Sequence, residues 1–176
     1  GQAECVQLLS SYGASRHLVV EGVECTPEEF AEQEGYIPLQ EWLIRSRHWS
    51  PLHHLEVLSL ERARALLRSG ADLRLVPSAG VPSPLERAEH LLQYGSGDDA
   101  GMVEWPWSGD VAVATLLVRA SGAWSVGSHE LFPEAERTEV ATLAPSLYHV
   151  FLRRMGNGGW QAVDFTRAVL AQLLYR

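Results

Sequence analysis

The feature that most constrains this chain is one short opening motif used three times: Thr26-Pro27-Glu28-Glu29, Ser50-Pro51-Leu52-His53 and Ser83-Pro84-Leu85-Glu86. Each starts with a hydroxyl side chain able to accept from the free N–H groups of a helix start. Each then places proline at the first helical position, where a missing N–H costs nothing. Glu28 and Glu29 also favour the positive end of a helix. The motif therefore predicts a short amphipathic helix at each occurrence. A unit of this size that recurs builds a stack, because a single helix pair cannot bury its own apolar face.

Second helices follow the openings. Beyond Gly35, Leu39, Trp42 and Leu43 recur at helical spacing, and Leu60, Ala63, Leu66 and Leu67 do so before Gly70-Ala71-Asp72 ends the segment. At the start of the chain, Val6 and Leu9 with Leu8 alongside predict a helix closed by Gly13. Residues 73–82 carry Pro77, Gly80 and Pro82 and read as a projecting loop, and the last copy of the motif predicts a helix to about Tyr94.

The stretch Trp49-Ser50-Pro51-Leu52-His53-His54-Leu55, continued by Ala65-Leu66-Leu67-Arg68-Ser69-Gly70-Ala71-Asp72-Leu73, resembles an ankyrin repeat. Gly1 to Ala14 resembles the second half of such a unit without its first helix, so the chain is expected to be part of a longer protein or a larger complex. The interval from Thr26 to Gly35 equals the family's spacing between its threonine and its inter-helix glycine. Ser50, however, follows Gly35 too closely to leave room for the family's projecting finger. The resemblance covers about residues 1–94 and implies a mostly α, ankyrin-type helix-turn-helix solenoid with a truncated first unit and one missing finger loop. His53 falls on the histidine of the family's Thr-Pro-Leu-His motif, where it implies an imidazole that bonds neighbouring backbone and links one unit to the next.

What the resemblance implies for function is a non-enzymatic protein–protein interaction module, a scaffold whose fingers and first helices hold a partner. The contact residues it points to are Arg16, His17, Glu28, Glu29, His54, Arg74, Glu86 and Arg87. Trp105 and Trp107, flanking Pro106, join them as residues that either anchor a loop on the next helix or form an exposed hot spot.

The repeat signal stops at Tyr94. Residues 95–110 form a Gly/Asp/Pro-rich loop, and residues 111–176 a helical C-terminal extension or cap. In that extension Val111 to Ala120 reads as a buried helix or a strand, and three helices are expected at about 133–143, 145–154 and 161–175, with Pro133 and Pro145 near helix starts. Trp124 and Leu131-Phe132 bracket His129 and are expected to pin a helix entry, with Phe132 as a hydrophobic staple.

Charge and residue types narrow the partners. The net charge is −8 and all 14 positive side chains are arginines, so the basic surface that nucleic acid requires is missing. Arg45, Arg47, Arg62, Arg64 and Arg68 make a modest basic ridge, either a solvated helix face or a contact for a carboxylate-bearing partner. Cys5 and Cys25 are too few for a disulfide scaffold, which points to a reducing, intracellular compartment, cytoplasmic by default. No apolar run approaches the roughly 20 residues of a membrane span.

Chemistry has little to stand on. His48, His53, His54 and Glu56 cluster, yet His53 and His54 are adjacent and diverge on a helix, which is wrong for metal ligation. No nucleophile elbow occurs. Gly95, Gly97 and Gly101 lack the flanks of a phosphate loop, and Asp98, Asp99 and Glu104 lack the order of a calcium loop. No catalytic residue, metal or cofactor is expected. Two other readings remain: a structural subunit embedded in a larger assembly, and a metal-dependent enzyme built on the histidine cluster.

Overall fold

A computed structural model describes residues 2–15, 19, 25–94, 109–155 and 159–173. The chain is mostly helical, with no strand among the described residues. Its helices are α1 (Gln2–Ser11), α2 (Pro27–Gln33), α3 (Ile37–Arg45), α4 (Leu60–Arg68), α5 (Pro84–Tyr94), α6 (Val111–Ser121), α7 (Glu134–Met155) and α8 (Gly159–Leu173), with 3₁₀ turns at Pro51–His53 and His129–Leu131. None of the described helices is long and apolar enough to cross a membrane.

The three opening motifs make the same cap. Thr26 N–H donates to Glu29 Oε2 at 2.7 Å, Ser83 N–H to Glu86 Oε2 at 2.7 Å, and Ser50 N–H to His53 Nδ1 at 2.9 Å. In each, the fourth residue reaches back to the first and satisfies a backbone N–H left over at the helix start. Helix ends repeat as well. Gly13 and Gly70 share a φ of +84°, and the following N–H returns to the carbonyl five residues back, Ala14 to Leu9 and Ala71 to Leu66, both at 3.0 Å. Glycine takes that left-handed conformation without the penalty a Cβ would bring.

The second motif departs from the expectation of a helix. Pro51–His53 is a single 3₁₀ turn, and the chain continues through turns closed by Val57 N–H on His54 O and Leu58 N–H on the same carbonyl, before Ser59 caps α4. Between α2 and α3 the left-handed Gly35, at φ +72°, ends one helix so that another can start. No glycine occupies the corresponding stretch after Ser50, so a full first helix has no cheap exit there.

The largest core gathers Leu52, Leu55, Leu58, Ala63, Leu67, Leu73, Leu85, Ala88 and Leu91 with Val113, Ala114, Leu116, Leu117, Ala120 and Leu131. It crosses the boundary drawn at 94 and 111 in the sequence: α6, a helix rather than a strand, packs on α5 and α4. Asp110 caps α6 through Ala112 N–H, and its own N–H donates to Leu55 O at 2.9 Å. The expected loop lies mostly at 95–108, outside the described residues. Two smaller clusters lie outside this core: Ala31, Trp42 and Leu43 with Val6 and Leu39, and Trp124, Phe132, Val140 and Leu170.

The C-terminal helices differ from the sequence reading in one respect. Two helices were expected to meet at Pro145, whereas α7 runs through it as one helix of 22 residues. Proline removes one ladder bond from the helix interior. The packing of α7 along α8, with Leu143, Ala144 and Leu147 against the Trp124 cluster, keeps the helix continuous. Phe132, just ahead of α7, is fully buried and packs in one cluster with Trp124, Val140 and Leu170.

Candidate functional site

Two places on this framework concentrate unusual residues: a buried polar junction where the 51–53 turn meets α3 and α5, and the loop of residues 73–82 that leaves α4.

In the junction, Arg87 on α5 is a guanidinium with 1% of its side chain exposed. One of its nitrogens donates to the His53 carbonyl, another lies 3.6 Å from Glu56 Oε2, and its carbon sits 4.1 Å above the Trp49 ring. The second Glu56 oxygen accepts from Trp42 Nε1 at 3.3 Å. Trp49 stacks on His53, with 18° between planes and centroids 5.9 Å apart, and meets Trp42 edge-on at 6.4 Å. The aromatic faces and the carboxylate together offset the cost of burying a cation.

Electrostatics follow from that burial. Removal from water, partly opposed by Glu56, pushes the Arg87 pKa down to about 10, so the side chain remains charged at neutral pH. Burial and then the Arg87 charge push His53 down to about 4, against the pull of the backbone of Ser50, Pro82 and Leu75 around the ring. His53 is therefore a neutral imidazole at physiological pH. Its Nδ1 accepts from Ser50 N–H, which places the ring proton on Nε2.

The loop itself is fastened at its base. Leu85 N–H donates to Leu73 O at 3.0 Å, Arg74 N–H to Asp72 Oδ1 at 2.8 Å, and Val81 N–H to Ser78 O at 3.1 Å. Between these points Leu75 and Val76 stand 42% and 56% exposed, beside an exposed Arg74.

The candidate contact residues are thus dispersed. His54 and Arg87 are interior, with His54 0% exposed and tucked against Trp42 and Trp49, so neither can meet a partner on the surface; this corrects their placement as contacts. Glu28 pairs with Arg47, its Oε1 accepting from Arg47 Nε at 3.1 Å. Glu29 and Glu86 are exposed but serve their caps, and the N–H bonds from Thr26 and Ser83 hold both carboxyls below the usual carboxylate range. Arg74 is the member of the set carried on the exposed loop. Arg16, His17, Trp105 and Trp107 lie outside the described residues.

Sequence reasoning missed Leu75 and Val76, whose signal was an apolar pair inside a segment otherwise rich in turn residues. It also missed the Glu56–Arg87 pair, 31 positions apart and carried by no motif. The basic ridge is largely engaged within the molecule: Arg45 with Glu41, Arg47 with Glu28, Arg68 with Glu130, and Arg62 over the Tyr12 ring. Among the described residues no group of three His, Cys, Asp or Glu side chains could hold a metal ion. Concave surface is modest, with a cavity of about 310 Å³ between α1 and α3 and one of about 390 Å³ between α7 and α8.

No family model, curated protein or solved structure matches this chain.

Proposed function

We propose that this chain is a non-enzymatic protein-interaction module of the ankyrin type, which docks a protein partner through the 73–82 loop. The observation that carries the reading is the exposed Arg74-Leu75-Val76 run on a loop whose base is closed by Leu85 N–H on Leu73 O. A preformed apolar run loses little conformational entropy on association, and its arginine adds directional pairing with a carboxylate. The ankyrin assignment is supported by the three equivalent caps, the matching Gly13 and Gly70 ends, and the helix pairs α2/α3 and α5/α6. One feature is atypical for a nearest-neighbour stack: α1 lies against the 51–53 turn, two opening motifs further along the chain.

The test is co-purification from the native source followed by mass spectrometry, repeated with a chain carrying Arg74→Glu, Leu75→Ser and Val76→Ser. The reading expects a protein that co-elutes with the unaltered chain and is lost from the triple variant. An identical set of co-eluting proteins with both chains rejects the loop as the docking element.

A second reading, a subunit built permanently into a larger assembly, draws on α1. Cys5, Leu8, Leu9 and Tyr12 are all exposed, and their spacing puts them on one helical face, while the buried positions of the same helix are Ser10 and Ser11. A helix that shows leucine to solvent and hides serine is covered by something else in its working state. Sedimentation of the isolated chain separates the two readings: a docking module stays monomeric, whereas a built-in subunit associates through this face.

A further inference from the structure

The two C-terminal helices form a concave surface whose chemistry differs from that of the rest of the chain. The cavity of about 390 Å³ between α7 and α8 is lined by Trp124, Ala144, Pro145, Val163 and Leu170, all of them apolar apart from one indole N–H. A second cavity, of about 490 Å³, shares Trp124 and Arg167 with the first and continues along α8 past Ala168 and Ala171. Volumes and linings of this kind suit a small organic ligand. Trp124 is held in place before any ligand arrives: its Nε1 donates to His129 Nδ1 at 3.1 Å, and Phe132, Val140 and Leu170 pack with it in one cluster. A wall that is already fixed loses little entropy on binding.

The charged groups at this place are of one sign. Arg167 and His149 line the α7/α8 cavity, both are exposed, and no acidic side chain is among the described residues that line either cavity. In a chain with 22 acidic and 14 basic side chains that is a local reversal. Asp164 on α8 approaches Arg167 only to 4.0 Å, and the two side chains stand 77% and 60% exposed. An exposed pair at such a distance holds its arginine weakly, so the planar guanidinium keeps donors for a second carboxylate. Tyr148, half-buried with its ring edge-on to His149, and the buried Thr166 add hydroxyls to the lining.

We propose that the α7/α8 cavity binds a small apolar monocarboxylic acid, with its hydrocarbon part against Trp124, Val163 and Leu170 and its carboxylate at Arg167. The apolar walls take hydrocarbon surface out of water, and the guanidinium adds a directional, charge-assisted contact. An alcohol of the same chain length gains the first contribution and forfeits the second. The site is therefore selective for the acid. This inference is independent of what the 73–82 loop docks.

The test is a titration of the full chain, with ¹³C-labelled methyl groups, by decanoate below its micellar concentration and in parallel by decanol. Expected are saturable shifts of the Ala144, Val163 and Leu170 methyl signals with decanoate, and binding of decanol weaker by on the order of tenfold. Arg167→Gln, a change at an exposed position, should weaken decanoate by a similar factor and leave decanol unchanged. Ala144→Phe, which fills the cavity, should abolish both. The assignment is overturned if no saturable shift occurs, or if the shifts centre elsewhere, as at Leu39 in the cavity between α1 and α3. Equal affinity for decanoate and decanol also overturns it, since that is the behaviour of an apolar surface made to pack against protein. Should Ala144→Phe not fold, the alcohol and Arg167→Gln decide.

Discussion

Residues 2–46 and residues 50–131 use the same local grammar of hydroxyl–proline caps and left-handed glycine ends, yet they bury themselves to very different degrees. The second region surrounds one continuous core fed by the 51–53 turn, α4, α5 and α6. In the first, Ala31, Trp42 and Leu43 form a small cluster while Leu8, Leu9, Tyr12, Phe30, Ile37 and Ile44 remain exposed. Local capping therefore specifies helices in both, and what separates them is whether a helix seals the apolar layer: α1 brings Val6 to the small cluster but leaves Leu8 and Leu9 exposed. In the second region α6 does so, its entry seated where Asp110 bonds Leu55. In the first, the seam toward the rest of the molecule runs through Trp42 and its neighbours Trp49, His54 and Glu56.

That contrast can be broken most forcefully at the seam. Arg87→Met leaves Glu56 in the interior without its cation and should cost about 3–5 kcal/mol in denaturant unfolding. Adding Glu56→Gln should recover a large part of the loss. Failure to recover would mean that Arg87 acts through packing on Trp49 rather than through charge.

The core comparison itself is sharpened by a matched pair. Leu67 and Leu43 are equally hidden, but Leu67 lies in the large core and Leu43 in the small one. Leu67→Ala should cost about 4 kcal/mol and Leu43→Ala about 2 kcal/mol, the lower value reflecting a surround free to collapse. Equal losses would remove the distinction between the regions.

Acid should act on the second region first. His53 holds its proton only below about pH 4 in the folded state, against an ordinary value of 6.5, so the unfolded chain binds the proton more readily between those values. The stability this provides is complete above about pH 6.5 and falls by about 3 kcal/mol as the pH drops to 4. The depressed Glu29 carboxyl weakens the α2 cap only at lower pH, once the folded group itself takes up a proton. Thermal melts across this range in the unaltered chain and His53→Gln measure the difference.

The smallest effect on folding belongs to the α1 face. Leu8→Ser with Leu9→Ser should change stability by no more than about 0.5 kcal/mol, since neither side chain is covered. If sedimentation shows self-association of the unaltered chain, the same pair should abolish it. A large loss of stability would instead show that α1 is buried in solution.

The sequence made some of this legible for identifiable reasons. Caps and glycine ends are local: Thr26, Ser83, Gly13, Gly35 and Gly70 each act within five residues, so their roles could be read from neighbours alone. The 51–53 turn was harder, because the opening was right while the means of ending a helix was absent downstream. Pro145 misled for the opposite reason, since a residue that breaks an isolated helix is tolerated where α8 packs alongside. The junction was illegible because it joins positions 42, 49, 53, 56 and 87, which no periodicity links. His54 and Arg87, polar and set on a motif that elsewhere faces water, gave no sign in one dimension that they would be enclosed.

The seating of Asp110 on Leu55 has a topological consequence. Gly109 fits there because a Cβ would come within 2.6 Å of the Leu55 Cβ, so the first residues of α6 register it against the body. Chain-closure entropy makes the length of the connection a weak variable, about 0.6 kcal/mol for each doubling. A polypeptide severed between α5 and α6 keeps the described contacts of α6 with α4 and α5 and the bond from Asp110 to Leu55, so the two fragments should reassociate.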